Sequence, residues 1–220
     1  MRDIFLKQLE ELHTLLIEMG ALCERVIERS HVALMNEDKE AAAEIIEKDG
    51  AIDMKEREIE SMCLKLLLHQ QPVASDLRKV SAALKMITDM ERIGDQAGDI
   101  AEIINTTDLK APVRELRMEE MAKATMKMVS ESIDSFVKDD LELAKKVIND
   151  DDIVDNLFLE IRDELGRLMK AESATPEQLF DLLMIAKYYE RIGDHATNIA
   201  EWVVYSLTGV HKNTEIADII

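Results

Sequence analysis

The sequence predicts an all-α protein made of two tandem, similar three-helix bundles, six long helices packed antiparallel. Three observations predict it. First, a twelve-residue stretch occurs twice, at 91–102 and again at 190–201, with nine of twelve positions identical at an offset of 99 residues. A repeat nearly half the chain long reads as a tandem duplication. Second, apolar residues recur at three-four spacing over long stretches, the mark of packed helix faces. Third, seven Gly, three Pro and 4% aromatics in 220 residues leave little material for strands and turns.

The elements follow in order. The first helix, about 4–35, carries Leu9, Leu12, Leu16, Met19, Cys23, Val26 and Ser30 on one face. Asn36-Glu37-Asp38 breaks it and offers N-cap oxygens to the next helix. The second helix, about 38–70, has the seam Ile45, Asp49, Ile52, Glu56, Ile59, Cys63 and Leu66, a heptad line. Pro72 opens the third helix, about 73–106, which is apolar on two sides, as a central helix should be. Thr106 to Pro112 forms the linker between halves, so the domains are 1–107 and 113–209, with 210–220 as a tail. The fourth helix, about 113–138, carries Leu116, Ala122, Met126, Val129 and Ile133. Asp139 and Asp140 can cap the fifth, about 140–171, whose seam is Val147, Asp151, Val154, Phe158, Ile161, Leu165 and Leu168. That seam repeats the second helix at an offset of 102. Thr175 as N-cap and Pro176 at the first turn open the sixth helix, and Thr208-Gly209 closes it. Gly94, Gly166 and Gly193 fall inside helices, where each costs about 1 kcal/mol against Ala. Gly94 and Gly193 hold the same place in both copies, which suggests close helix approach there.

Charge narrows function. Lys and Arg number 27 against 46 Asp and Glu, for a net charge of -19. A phosphate backbone needs a basic patch, so direct nucleic-acid binding is excluded, and an anionic membrane surface is disfavoured. Cys23 and Cys63 lie among apolar neighbours and read as buried free thiols. No apolar run approaches a membrane span and the N-terminus carries no signal-type apolar stretch, so a cytoplasmic protein without membrane insertion is expected.

Two helices of each half put carboxylates on their buried sides. In the first half these are Asp49 and Asp53, facing Glu91, Asp95 and Asp99. In the second they are Asp151 and Asp155, facing Glu190 and Asp194. Asp49 and Asp151 interrupt heptad seams at positions that packing would give to apolar residues. Buried carboxylates need cations. The options are Arg (Arg92 and Arg191 are at hand), Lys, a proton or a metal. All-oxygen ligation suits hard ions such as magnesium, manganese, calcium or iron. The Glu28-Arg29-Ser30-His31 stretch has no counterpart in the second half, so a ferritin-like di-iron arrangement is disfavoured. No Gly-rich phosphate loop and no nucleophile elbow is present.

Two copies of Glu-Arg-Ile-Gly-Asp, each late in a third helix, resemble the PhoU family of phosphate-transport regulators. Pro72 to Arg78 before the first copy, Tyr188-Tyr189 before the second, and Ile199 to Tyr205 followed by Thr208-Gly209 support the resemblance, which spans essentially the whole chain. It implies a non-enzymatic negative regulator of phosphate uptake and of the phosphate-starvation response. Implied partners are the ATPase of a Pst-type phosphate ABC transporter, a PhoR-type histidine kinase, and a second copy of the chain. It also implies divalent or trivalent metal ions (iron, zinc, manganese or magnesium) on the acid-x-x-x-Asp pairs. By position these are Asp49 with Asp53, Glu91 with Asp95, Asp151 with Asp155, and Glu190 with Asp194. The halves differ where Thr175-Pro176-Glu177 replaces Asp76-Leu77-Arg78 by offset, and where Asn198 replaces Asp99. The rival readings are a di-metal carboxylate enzyme and a metal-free helical scaffold.

Overall fold

A computed structural model of the chain describes residues 2–47, 50–70, 74–109 and 116–210. The helices are α1 (Arg2–Asn36), α2 (Lys39–Glu47), α3 (Gly50–Gln70), α4 (Ala74–Thr106), α5 (Met118–Val137), α6 (Leu141–Lys170) and α7 (Pro176–Thr208). The second predicted helix is thus seen as α2 and α3, on either side of residues 48–49. Among the described residues there is no strand.

The caps confirm the punctuation of the sequence. The Asp38 carboxylate accepts from the Ala41 amide at 2.9 Å, and the Asp140 carboxylate accepts from the Leu143 amide at 2.9 Å. Glu37 and Asp139 precede them at φ 53° and 52°, so the two turns are copies at an offset of 102. Thr175 and Gln178 form a capping box with Pro176 in the first turn of α7, and Gly209 ends α7 at φ 83°, a left-handed conformation open to Gly. The start of α5 differs from expectation. Its first helical residue is Met118, with Leu116 and Arg117 in a bend and turn ahead of it. Leu116 is buried nonetheless, at the N′ position whose staple partner, N4, is the buried Met121. An apolar residue just outside a helix keeps the helical spacing, which is why periodicity alone extended the element.

Within the first half, α1, α2 and α3 pack on α4; within the second, α5 and α6 pack on α7. The most extensive contact of all joins the halves, α4 against α7. These helices run antiparallel: Arg78 meets Ser206, Asp89 meets Asn198, and Thr107 meets Asp181. A second joint brings α1 onto α5, where Gly20 faces Ile133 and His13 faces Phe136. The two bundles therefore share one continuous apolar core, with Met86, Met90 and Ile93 of α4 and Ile185, Tyr189 and Ile192 of α7 at its centre. Cys23 and Cys63 are free and buried, as expected. No described helix is long and apolar enough to cross a membrane.

Glycines mark the tightest approaches. A Cβ on Gly94 would sit 2.7 Å from Ile52 Cδ1, and one on Gly193 would sit 3.4 Å from Val154 Cγ1. Ile52 and Val154 are the same seam position in the two halves. Gly166 has nothing within 4 Å and gains nothing from lacking a side chain. Gly166→Ala should therefore stabilise the fold by up to about 1 kcal/mol, whereas Gly94→Val should destabilise it by about 1–3 kcal/mol through overpacking against Ile52. Urea unfolding of the two variants beside the parent chain measures both.

Candidate functional site: carboxylates on two helix seams

The acids of the second half lie between α6 and α7. Asp151 is half-buried on the α6 seam and Asp155 is exposed one turn on; Glu190 is half-buried and Asp194 exposed on α7. Burial pushes the Asp151 carboxyl up to about 6, and the charges of Asp194, Asp155 and Glu190 add to the rise. Asp194 is raised as well, by burial first and then by Glu190 and Asp155, against an opposing effect of Lys187 and His195. Repulsion of this kind shows four carboxylates sharing one region. Lys187 is the main neutralising group. It ion-pairs with Glu190 and lies 5.5 Å from the centre of the Phe158 ring. The Thr197 hydroxyl lies beside Asp151 and favours its charged form, yet its buried Oγ1 completes no hydrogen bond.

The first half repeats the arrangement between α3 and α4. Glu91 is raised by burial, then by Asp95, with smaller repulsions from Glu56 and Asp53; Arg92 opposes. Glu56 is itself raised by burial and by Glu60 and Asp53, while the Thr88 hydroxyl beside it favours its charged form. Glu56 was visible in the heptad seam as a polar interruption like Asp49, but its role beside Glu91 needed the neighbouring helix. Arg92 reaches both motif acids, with Nε 3.5 Å from Glu91 Oε2 and Nη1 3.2 Å from Asp95 Oδ2. Asp49 lies outside the described residues, so its place relative to Asp53, Glu91 and Asp95 is not described.

Asp99 belongs elsewhere. The Tyr188 phenol lies beside it across the α4–α7 joint and favours its charged form, as does Arg191. Its counterpart Asn198 does the same job in reverse, donating to Asp89 Oδ1 at 3.3 Å, while His195 Nδ1 lies 2.9 Å from the same oxygen. The Asp99/Asn198 difference therefore tunes the joint between halves. Asp89 was missed in the sequence, and Tyr188 was noted only as a neighbour of the second motif copy, not as a partner of Asp99. Asp89 and Tyr188 occupy equivalent places at the offset of 99, and extending the repeat by two residues on the N-terminal side would have aligned them. Beside this joint, Arg92, Asp95, Gln96, Asp99, Glu102 and Arg191 line a polar cleft of about 280 Å³. Gln96 is buried there, and its Oε1 has no hydrogen-bond partner among the described residues.

The donor set is chemically suited to a hard cation: oxygen only, in excess of the local positive charge, and partly dehydrated. Among the described residues, however, no three such groups are gathered closely enough to enclose an ion. Without Asp49 the first set is incomplete in description. The second set is complete, and its carboxylates influence one another without closing on a point.

Comparison with known proteins places this geometry. The PhoU domain family matches residues 16–104 and 118–203, one copy in each half. The chain is 39% identical to the phosphate-specific transport system accessory protein PhoU homolog of Clostridium acetobutylicum, over 99% of both chains. It is 33% identical to the PhoU homolog of Pseudomonas aeruginosa, over 93% of this chain and 86% of that one. The crystal structure of PhoU from Pseudomonas aeruginosa superposes with a TM-score of 0.85 at 32% identity, covering 94% of this chain and all of that one. The phosphate transport system regulatory protein PhoU from Streptococcus pneumoniae superposes at 0.88 with 28% identity, covering 96% of this chain and all of that one. With the domain matched twice and its full-length relatives this similar, the chain belongs to the PhoU family.

Proposed function

We propose that the protein is a cytoplasmic accessory regulator of phosphate transport. It restrains phosphate uptake and the phosphate-starvation response when phosphate is plentiful, by contact with the ATPase of a Pst-type transporter and with a PhoR-type histidine kinase. It acts without catalysing a reaction, and it pairs with a second copy of itself. The observation that carries this reading is the whole-length match to a phosphate-specific transport system accessory protein, both halves included. The fold supports it physically. The α4–α7 joint makes one body of two bundles, which suits a protein that presents a rigid surface to partners.

Metal binding completes the proposal. Asp151, Asp155, Glu190 and Asp194 would hold an ion between α6 and α7. Asp53, Glu91 and Asp95, with Asp49, would hold one between α3 and α4. Iron, zinc, manganese and magnesium are the candidates. Neutralising the mutual repulsion of these acids would fasten each seam and stiffen the docking surface.

Three outcomes are expected. Deleting the gene should raise transcription of phosphate-starvation genes in phosphate-replete medium; continued repression contradicts the regulatory reading. Adding manganese to metal-free protein at about a hundred times its Kd should raise the melting temperature by about 5–10 °C, and Glu190→Gln with Asp194→Asn should remove most of that rise. If the parent chain shows no rise with any of the four metals, the metal-free scaffold is the better reading. The third outcome concerns pH. The folded Asp151 carboxyl is raised to about 6, well above the ordinary range of an aspartate. The folded state then holds its proton to higher pH than the unfolded state, so this group's contribution to stability falls as pH rises from about 4 to about 6. Asp151→Asn should make the metal-free protein more stable at pH 7, by about 1 kcal/mol once solvent screening is allowed for. The gain should vanish near pH 4, as read by urea unfolding at both pH values.

A further inference from the structure

The offset of 102 that relates the seams also relates α1 to α5. The buried positions Met19, Cys23, Ile27, Ser30 and Leu34 of α1 match Met121, Thr125, Val129, Ser132 and Phe136 of α5, every one of them buried. The two halves can therefore be compared position by position, and one place differs in both shape and charge.

In the first half a cleft of about 190 Å³ opens between α1, α2 and α3. Val26, Ile45, Ala51 and Ile52 line it with apolar atoms, and Arg25 and Arg29 stand at its rim. In the second half, Ile153 takes the place of Ala51 and puts a branched side chain where the first half has a methyl group. Charge differs more. Lys127, the counterpart of Arg25, lies 3.9 Å from Glu131 and 3.8 Å from Asp150. Glu131 corresponds to Arg29, and Asp150 corresponds in sequence to Lys48. Both acids are shared with Lys146, whose counterpart is Glu44, so a set of two bases and two acids in the second half becomes three bases and one acid in the first. Arg25 makes no ion pair or hydrogen bond among the described residues. Arg29 Nη2 holds Glu44 at 3.2 Å, a mostly exposed pair of the weak, exchangeable kind. An unneutralised guanidinium over an apolar floor is out of keeping with a chain of net charge -19.

We propose that this cleft binds a small amphiphilic carboxylate, its aliphatic body on Val26, Ile45, Ala51 and Ile52 and its head on Arg25 and Arg29. Apolar pockets with a few convergent polar groups are the usual form of small-molecule sites. A cavity of about 150 Å³ is enough for benzene, so this one takes an apolar body of about eight carbons. A guanidinium matches a carboxylate in two-pronged geometry and holds it more firmly than an ammonium does. The site lies apart from the acids of α6 and α7. Its own floor residue Ile52 packs against Gly94, so a ligand there would press on the α3–α4 seam.

Titrating octanoate into the full chain and following methyl resonances by NMR tests the proposal. Saturable one-to-one shifts centred on Val26, Ile45 and Ile52 are expected, with octanol weaker by roughly tenfold or more because it lacks the charge. Arg25→Gln should reduce octanoate to the affinity of octanol and leave the unfolding midpoint unchanged. Ala51→Phe, which fills the cleft, should abolish binding of both. Shifts that do not saturate or that centre elsewhere overturn the proposal, as does equal binding of octanol or an Arg25→Gln variant that binds like the parent. Inorganic phosphate competing as well as octanoate would equally overturn it, since the apolar floor would then be irrelevant. If Ala51→Phe fails to fold, the Arg25→Gln titration decides alone.

Discussion

Asp89 of α4 meets His195 and Asn198 of α7, and ten residues further along α4 the Asp99 carboxylate meets Tyr188. These two polar contacts sit on either side of the apolar line formed by Met90, Ile93 and Ala97 against Tyr189, Ile192 and Ala196. The apolar line drives the association of the halves, and the polar contacts fix its register. Register decides the rest. It sets α4 and α7 antiparallel at the middle of the molecule, so the two copies of the repeat lie beside each other. Each then turns its acids outward to its own partner helix, α3 or α6.

On those outer seams the carboxylates are in an unsettled state. Ionised, they repel one another at close quarters, and Asp151, partly stripped of water, is pushed up to about 6. The halves meet the problem differently. Arg92 pairs with both Glu91 and Asp95 in the first, whereas in the second Lys187 pairs with Glu190 and acts on Asp194 through its charge alone. A bound cation would remove the repulsion there, and by the same amount it would tie α6 to α7.

Much of this was legible in the sequence because helices write their packing at a fixed period. The seams Ile45 to Leu66 and Val147 to Leu168 fall where periodicity put them, and the caps at Asp38, Asp140, Thr175 and Gly209 are local chemistry. Gly94 could be suspected of close approach, and Ile52 explains it. Other features depend on the partner helix and could not be read from one strand of text. Asp99 shares a helix face with Asp95, but its environment is set by Tyr188, 89 residues away. Arg was one of several cations open to these acids, and the pairing of Arg92 with Glu91 and Asp95 depends on side-chain geometry that spacing does not fix. Glu56 interrupts the seam in the sequence, but its repulsion with Glu91 depends on α4 packing beside it.

The central claim is that the α6–α7 acids form an ion site whose repulsion a metal relieves. Anomalous diffraction from crystals of metal-free protein soaked in manganese tests it most directly. The account predicts an anomalous peak about 2.0–2.6 Å from carboxylate oxygens of Asp151, Glu190 and Asp194, with the side chains drawn together around it. A fully occupied lattice of protein with no peak between α6 and α7, or a peak only at exposed surface acids, would contradict it.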